Sequence, residues 1–306
     1  MSRVLITGSA GLVGRALRSA LEARHCEVVG LDLRAEGAEE GDVRERHRVE
    51  AAARGCAGIV HLAAVSRVVW GERDPEGCWS TNVDGLRNVL AVAARERQAP
   101  WVLFASSREV YGQAAVFPVT EAAPLCPMNV YGRSKERGEA LVGEARAAGL
   151  RAAVVRLSNV YGSTRDHADR VVPAFARAAA LGEPLRVEGV NHTFDFTHLD
   201  DTVRGILGLA SLLEAGREAP AAIHLLTGQP TTLGELASLS VTLAGTRAPI
   251  TVAAPRTFDV SSFHGDPRRA KEVLDWAPRV PLREGLARLI EGFRVEIGAR
   301  CDEVLE

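Results

Sequence analysis

No charge of one sign dominates this chain. Its 37 Lys and Arg are set against 39 Asp and Glu, a formal net charge of −2 at pH 7, and the arginines are scattered among acids. That leaves no electrostatic footprint for a polyanion, so nucleic acid is not an expected partner. The five cysteines, Cys26, Cys56, Cys78, Cys126 and Cys301, have neither paired nor metal-ligand spacing. This points to reduced thiols in a cytoplasm and to no metal centre. No apolar run approaches a membrane span, and the first one is a short strand closed by glycines; neither a signal peptide nor a membrane partner is expected. Repeats and low-complexity tracts are absent as well. What is present is 306 residues, 46% of them hydrophobic, enough for one large domain or one domain with a smaller lobe.

The chain opens on Arg3-Val-Leu-Ile-Thr7, a short apolar run, followed by Gly8-Ser-Ala-Gly11-Leu-Val-Gly14 and a helical pattern through Arg24. Strand, glycine turn and helix are what a dinucleotide-binding unit requires. Glycines let the backbone turn tightly and approach a pyrophosphate, which rests on the helix N-terminus. The next strand, Glu27-Val-Val-Gly-Leu31, ends in Asp32, about 20 residues beyond the glycines, where a carboxylate takes ribose hydroxyls and repels a 2′-phosphate. NAD is therefore favoured over NADP, with Arg34 read as a solvated loop residue.

In Tyr131-Gly-Arg-Ser-Lys135 the phenol and the ammonium lie four residues apart, which places them on one helix face. A lysine held close favours the phenolate and brings Tyr131 toward acid/base work near neutral pH. Alone, the pentapeptide also reads as an amphipathic helix with an exposed Tyr and Lys.

Gly8, Gly11 and Gly14 after Thr7, taken with Tyr131 and Lys135, resemble the extended branch of the short-chain dehydrogenase/reductase superfamily, the NAD-dependent epimerases and dehydratases of nucleotide sugars. The resemblance runs from Val4 to about Phe293. It implies an α/β fold, a Rossmann-type doubly wound parallel sheet with a smaller C-terminal substrate-binding lobe. Residues 1–162 and parts of 190–228 would hold NAD; residues 163–189 and 229–306 would form the lobe. Cofactor contacts are then expected from Gly8, Gly11, Leu12, Val13 and Gly14, and from Asp32 and Leu33. Asp42 and Val43 would meet the adenine, although Asp42 reads equally as a solvated loop acid. The strand Gly58-Ile-Val-His-Leu-Ala-Ala64 would bring Leu62, Ala63 and Ala64 to the adenosine and ribose, with Ser66 following. Asn82, in a helical stretch from Asp74 to Arg97, would brace the loops near the nicotinamide, and Ala105 and Leu157 would border the cofactor from strand ends.

Pro100–Ser107 reads as a central strand, and Ser107 matches the family residue that shares a hydrogen bond with the sugar's 4-oxygen and the tyrosine. Ser107, Tyr131 and Lys135 complete the catalytic set that the resemblance implies, with Lys135 also holding the nicotinamide ribose. Glu109 adds an ambiguity. In dehydratases and decarboxylases of this branch a glutamate here works at C5, after Asp or Ser; here Arg108 precedes it, and arginine stays charged at ordinary pH. Arg108 reads either as a substrate contact or as a residue that points to solvent and leaves Glu109 a structural partner.

On the substrate side the resemblance implies Asn159, in Ser158-Asn159-Val160-Tyr161-Gly162, and Val172, His192 and Arg256, the last in Arg256-Thr-Phe-Asp259-Val260. Arg256 matches a diphosphate-binding arginine and otherwise reads as a surface residue. Most members carry an arginine directly before Asp195, where this chain has Phe194; His192 takes that role only partly. Asp200 is a candidate N-cap for the following helix. The expected activity is a nucleotide-sugar 4-epimerase passing through a 4-keto sugar, with UDP the first nucleotide expected. The alternatives are a dehydratase or uronic-acid decarboxylase using Glu109 and, in another class, a non-catalytic NAD-sensing regulator. Helices over Asp74–Arg97 and Asn129–Gly149 match the family's dimer surface and imply a homodimer.

Overall fold

The computed structural model describes residues 2–95, 99–256, 258 and 260–303, with side chains up to 298. Arg97, Asp259 and the Cys301 side chain lie outside the described residues.

The first half alternates strand and helix: β1 (Arg3–Thr7), α1 (Leu12–Glu22), β2 (Glu27–Leu31), α2 (Arg46–Ala53), β3 (Gly58–His61), α3 (Val68–Arg73), α4 (Pro75–Trp79), α5 (Gly85–Arg95), β4 (Trp101–Ser107), α6 (Val130–Ala147), β5 (Ala152–Leu157) and β6 (Asn159–Tyr161). The second half holds α7 (Val171–Leu181), β7 (Leu185–Glu188), β8 (Thr193–His198), α8 (Leu199–Glu214), β9 (Ala222–Leu225), β10 (Pro230–Thr232), α9 (Leu233–Ala244), β11 (Ile250–Ala253), α10 (Arg268–Leu274) and α11 (Leu282–Glu303). Six strands make one parallel sheet in the order β2-β1-β3-β4-β5-β9. Val4 pairs with Val28 on one side and Gly58 on the other, so the strand order reverses at β1. In open α/β sheets the ligand crevice lies outside the carboxyl ends at such a reversal.

Every residue of β3 and β4 is buried, as expected where helices cover both faces of a parallel sheet. One face packs Leu17 and Leu21 of α1 with Ile206 and Leu209 of α8. The other packs Val49 of α2 with Leu86 and Val89 of α5 and Leu141 of α6. A third cluster joins Phe175 of α7, Phe196 of β8, Leu236 of α9 and Ile290 of α11. It lies with two small sheets, β10-β8-β6 and β11-β7. Among the described residues no helix is long and apolar enough to cross a membrane.

The stretch from Asp74 is helical as expected: Asp74 caps it by accepting from the Gly77 amide at 2.9 Å with Pro75 in the first turn, and a π-helical turn over Ser80–Asp84 joins α4 to α5. One local expectation needs correction. The N-cap of α8 is His198, whose Nδ1 accepts from the Asp200 amide at 3.2 Å, so Asp200 lies inside the first turn. Packing decides this: His198 is buried edge-on against Tyr161, 5.4 Å between ring centres.

Candidate active site

A cavity of about 880 Å³ opens at the carboxyl ends of β1, β3, β4 and β5, and is closed on its far side by His192, Phe194 and Arg256. All the residues expected to touch cofactor or substrate line it, with the exception of Asn82. The inward π-turn buries Asn82 behind the wall, where its Oδ1 accepts from the Val65 amide at 2.8 Å and its Nδ2 donates to Ser134 Oγ at 2.8 Å. Asn82 is thus a brace between the β3 loop and α6, not a contact residue.

The glycine turn fits a dinucleotide. Gly8 has φ +74°, and a Cβ there would fall 2.7 Å from the Ala63 amide nitrogen; a Cβ on Gly14 would fall 2.3 Å from the Gly8 carbonyl oxygen. Only glycine lets the turn, α1 and the β3 loop close up in this way. Gly11 caps α1 with no side-chain acceptor, so the first-turn amides of this 11-residue helix point at the cavity, a ready anion site. Asp32 is held at the end of β2 by the Ala10 amide at 3.0 Å and the Arg34 amide at 2.8 Å. The Arg34 side chain is 57% exposed, a solvated loop residue, and its guanidinium also lies 3.5 Å from the same carboxylate. Asp42 is engaged by Arg44, with Nε at 2.8 Å, which holds its carboxyl below the usual range.

At the other end of the cavity, Asn129 caps α6 by accepting from the Gly132 amide at 2.7 Å. The helix then presents Tyr131 and Lys135 on one face. Lys135 Nζ donates to the Ala105 carbonyl at 2.8 Å and lies 4.8 Å from the Phe104 ring centre and 5.9 Å from that of Tyr131. Burial lowers the Lys135 ammonium to about 8. It also pushes the Tyr131 phenol up to about 12, opposed first by a hydrogen bond with Ser107 and then by the charge of Arg170. Desolvation is the largest influence on the phenol, and Ser107 and Arg170 are the first groups that oppose it.

Glu109 is fully engaged. Its Oε1 lies 2.9 Å from Arg108 Nη2, and its Oε2 accepts from Asn129 Nδ2 at 2.8 Å. Arg108 does not point to solvent; its side chain is 12% exposed and its guanidinium lies 4.5 Å from the Phe194 ring centre. Behind this wall, Arg156 donates to Glu139 at 2.6 Å and to the Tyr111 hydroxyl at 2.5 Å. Tyr111 in turn meets His224 Nε2 at 2.7 Å, and burial keeps that imidazole neutral by lowering it to about 4.

The sequence reading missed Asn129 and gave no role to the charged loop over residues 165–170. That loop closes on the β3 loop through Arg67, whose Nη1 and Nη2 donate to the Asp169 carboxylate at 2.7 and 2.9 Å. His167 adds an edge contact to Trp70 at 4.9 Å. The available signal was position, since the loop follows Asn159–Gly162 at the same sheet edge that carries Ser107.

Cradle, paired acid, and a hydroxyl, phenol and ammonium in one cleft agree with a family model, that of the NAD dependent epimerase/dehydratase family, which matches residues 4–221. The chain belongs to the NAD dependent epimerase/dehydratase family. Among its relatives in this family are UDP-glucuronic acid decarboxylase 6 of Arabidopsis thaliana, 30% identical over 97% of this chain and 90% of the relative. UDP-glucose 4-epimerase of Mycolicibacterium smegmatis is 30% identical over 95% and 98%. The solved structure of MoeE5 in complex with UDP-glucose and NAD superposes with a TM-score of 0.87, at 28% identity, over 97% of this chain and all of that one. The resemblance of the glycine turn and the Ser107, Tyr131, Lys135 set is thus a family membership, and the enzyme is NAD-dependent.

Proposed function

We propose that the chain is a nucleotide-sugar 4-epimerase that works through a transient 4-keto sugar. The observation that carries this reading is the state of Glu109. Both its carboxylate oxygens are held, by Arg108 and by Asn129, so the groups left to act on a sugar are Ser107, Tyr131 and Lys135. That set handles a hydroxyl and its ketone and needs no proton from C5.

In this reading the amides of Gly11, Leu12 and Val13 hold the pyrophosphate of NAD, Asp32 its adenosine ribose and Lys135 its nicotinamide ribose. Bound NAD supplies the oxidising ring that exchanges a hydride with the sugar carbon, and its positive charge favours the phenolate. Tyr131 takes the proton of the 4-hydroxyl and, once the keto sugar has turned and been reduced at C4 on its other face, returns it to the 4-oxygen. Ser107, which draws the phenol toward its ionised form, would keep the sugar oxygen beside it. Asn159, Val172, His192 and Arg256 border the cavity where the nucleotide diphosphate would lie. Residues 1–162 with parts of 190–228 would thus serve NAD, and 163–189 with 229–306 the sugar nucleotide, with UDP the first nucleotide to try.

One observation favours a second reading. Glu109 lies in the cavity wall close enough for its charge to raise the Tyr131 phenol. Released from Arg108, it could remove a proton at C5, as a dehydratase requires, or assist the loss of carbon dioxide from C5 of a 4-keto uronic acid, and several relatives bear the decarboxylase name. Product analysis separates the two: the NAD-loaded enzyme should interconvert UDP-glucose and UDP-galactose, or another 4-epimeric pair, without loss of water or carbon dioxide. Release of either small molecule would replace the epimerase reading.

A further inference from the structure

Arg108 follows Ser107 directly at the end of β4 and borders the cavity. Its guanidinium is fixed on three sides. Nη2 is paired with Glu109 at 2.9 Å, and the flat cation lies 4.5 Å from the ring centre of Phe194 and 5.9 Å from that of Phe263, a stacking geometry that suits guanidinium. Nη1, by contrast, is buried and has no hydrogen-bond partner among the described residues. Glu109 cannot turn to satisfy it, because its second oxygen is held by Asn129.

We propose that Arg108 binds an anionic oxygen of the substrate at the reacting end of the cavity, a carboxylate on the sugar or a phosphate oxygen of the nucleotide. This rests on the reading of the ligand as a nucleotide sugar. A buried guanidinium N–H left unpaired is costly, and a charged acceptor makes the stronger bond. The local charge balance favours an anion as well. Arg108 is matched by Glu109, and Arg170 faces Asp166 at 3.6 Å. Lys135, whose Nζ is bonded to a backbone carbonyl, keeps its charge without a carboxylate partner at hydrogen-bond distance among the described residues. Phe194 contributes by being an aromatic platform: it holds the cation in the cavity wall instead of carrying one itself.

The test is calorimetric titration of the NAD-loaded protein with UDP, UDP-glucose and UDP-glucuronic acid, in wild type and in Arg108→Met, which keeps the stem on Phe194. We expect at least tenfold weaker binding of one or more of these probes, with NAD affinity unchanged. Weakening confined to UDP-glucuronic acid assigns the sugar carboxylate; equal weakening of all three assigns the phosphate. Should Arg108→Met fail to fold because Glu109 is stranded, Arg108→Met with Glu109→Gln removes the stranded charge and carries the same comparison. Wild type and variant binding all three probes equally would overturn the assignment alone. Wild type binding none of them would overturn the nucleotide-sugar reading and the assignment with it. Because binding is read without turnover, an enzyme that proves not to epimerise leaves the Arg108 result standing.

Discussion

The guanidinium of Arg108 rests over the ring of Phe194, 4.5 Å from its centre. These are the two positions at which the chain departs from the pattern it otherwise follows, and the fold puts them in contact. A cation absent from position 194 is present beside its ring, delivered by the end of β4 instead of by β8. The two departures form one feature, and they place a positive charge next to Ser107.

Tyr131 is the residue on which turnover should depend most. Tyr131→Phe keeps the ring and removes only the hydroxyl, so the helix and its packing are retained. Turnover should fall by about 10²–10⁴-fold, the range for a lost general acid/base, while NAD still binds. A regulator that merely senses NAD would keep its response unchanged, and steady-state rates alongside an NAD titration separate the two.

Asn129 has two tasks that substitution can separate. Asn129→Ala removes both the cap of α6 and the donor to Glu109, and should cost about 1 kcal/mol of stability through the cap alone. Asn129→Ser retains a capping oxygen and loses only the bond to Glu109. Its thermal midpoint should stay near wild type while turnover changes. Equal melting losses in the two variants would mean that the cap is not what Asn129 contributes.

Lys135 should be a stability burden that function requires. Its ammonium is lowered to about 8 by burial, below the usual 10.4 or so of a free lysine. Between these values the unfolded chain binds more protons than the folded one, so stability rises with pH across that window and the full penalty applies below it. In protein stripped of NAD, Lys135→Met should therefore be no less stable than wild type at pH 7, with an advantage on the order of 1–3 kcal/mol that fades toward pH 10. Urea melts at several pH values check the sign; a variant less stable at pH 7 would contradict it.

Asp32 should set the choice of cofactor. It repels a 2′-phosphate directly and also engages Arg34, 3.5 Å away. Asp32→Ala removes the repulsion and releases a cation suited to that phosphate. The ratio of NADP to NAD affinity should rise by tenfold or more; an unchanged ratio would mean that selectivity lies elsewhere in the turn.

We also expect a homodimer built on α4, α5 and α6. Sedimentation should then give twice the 32.7 kDa of one chain, and a mass equal to one chain would contradict it.

The features legible in the sequence are those that short-range geometry dictates. The glycine turn is set by contacts within a few residues of Gly8, and Tyr131 and Lys135 by one helical turn, so their spacing carries the information. Features made by distant segments were not legible. Arg108 could not be placed against Phe194, nor Arg67 against Asp169, because nothing in either local sequence specifies the partner. Asp200 has the composition of an N-cap, yet His198 takes the position because burial against Tyr161 decides where α8 begins. Asn82 reads as facing inward from the apolar spacing of its stretch, and it is buried there, but the π-turn that carries it gives no periodic signal. The setting of Tyr131 divides the same way: nearness of Lys135 can be read from spacing, whereas the depth of burial that raises the phenol cannot.

The most direct test is proton NMR of the NAD-loaded enzyme turning over a nucleotide sugar in deuterated water. A 4-epimer with no deuterium at C5 is expected, since Ser107, Tyr131 and Lys135 would act at C4 while Glu109 stays bound to Arg108 and Asn129. Deuterium at C5 of an otherwise intact sugar would make Glu109 a working base, and that result, or a keto or decarboxylated product, would contradict the epimerase reading.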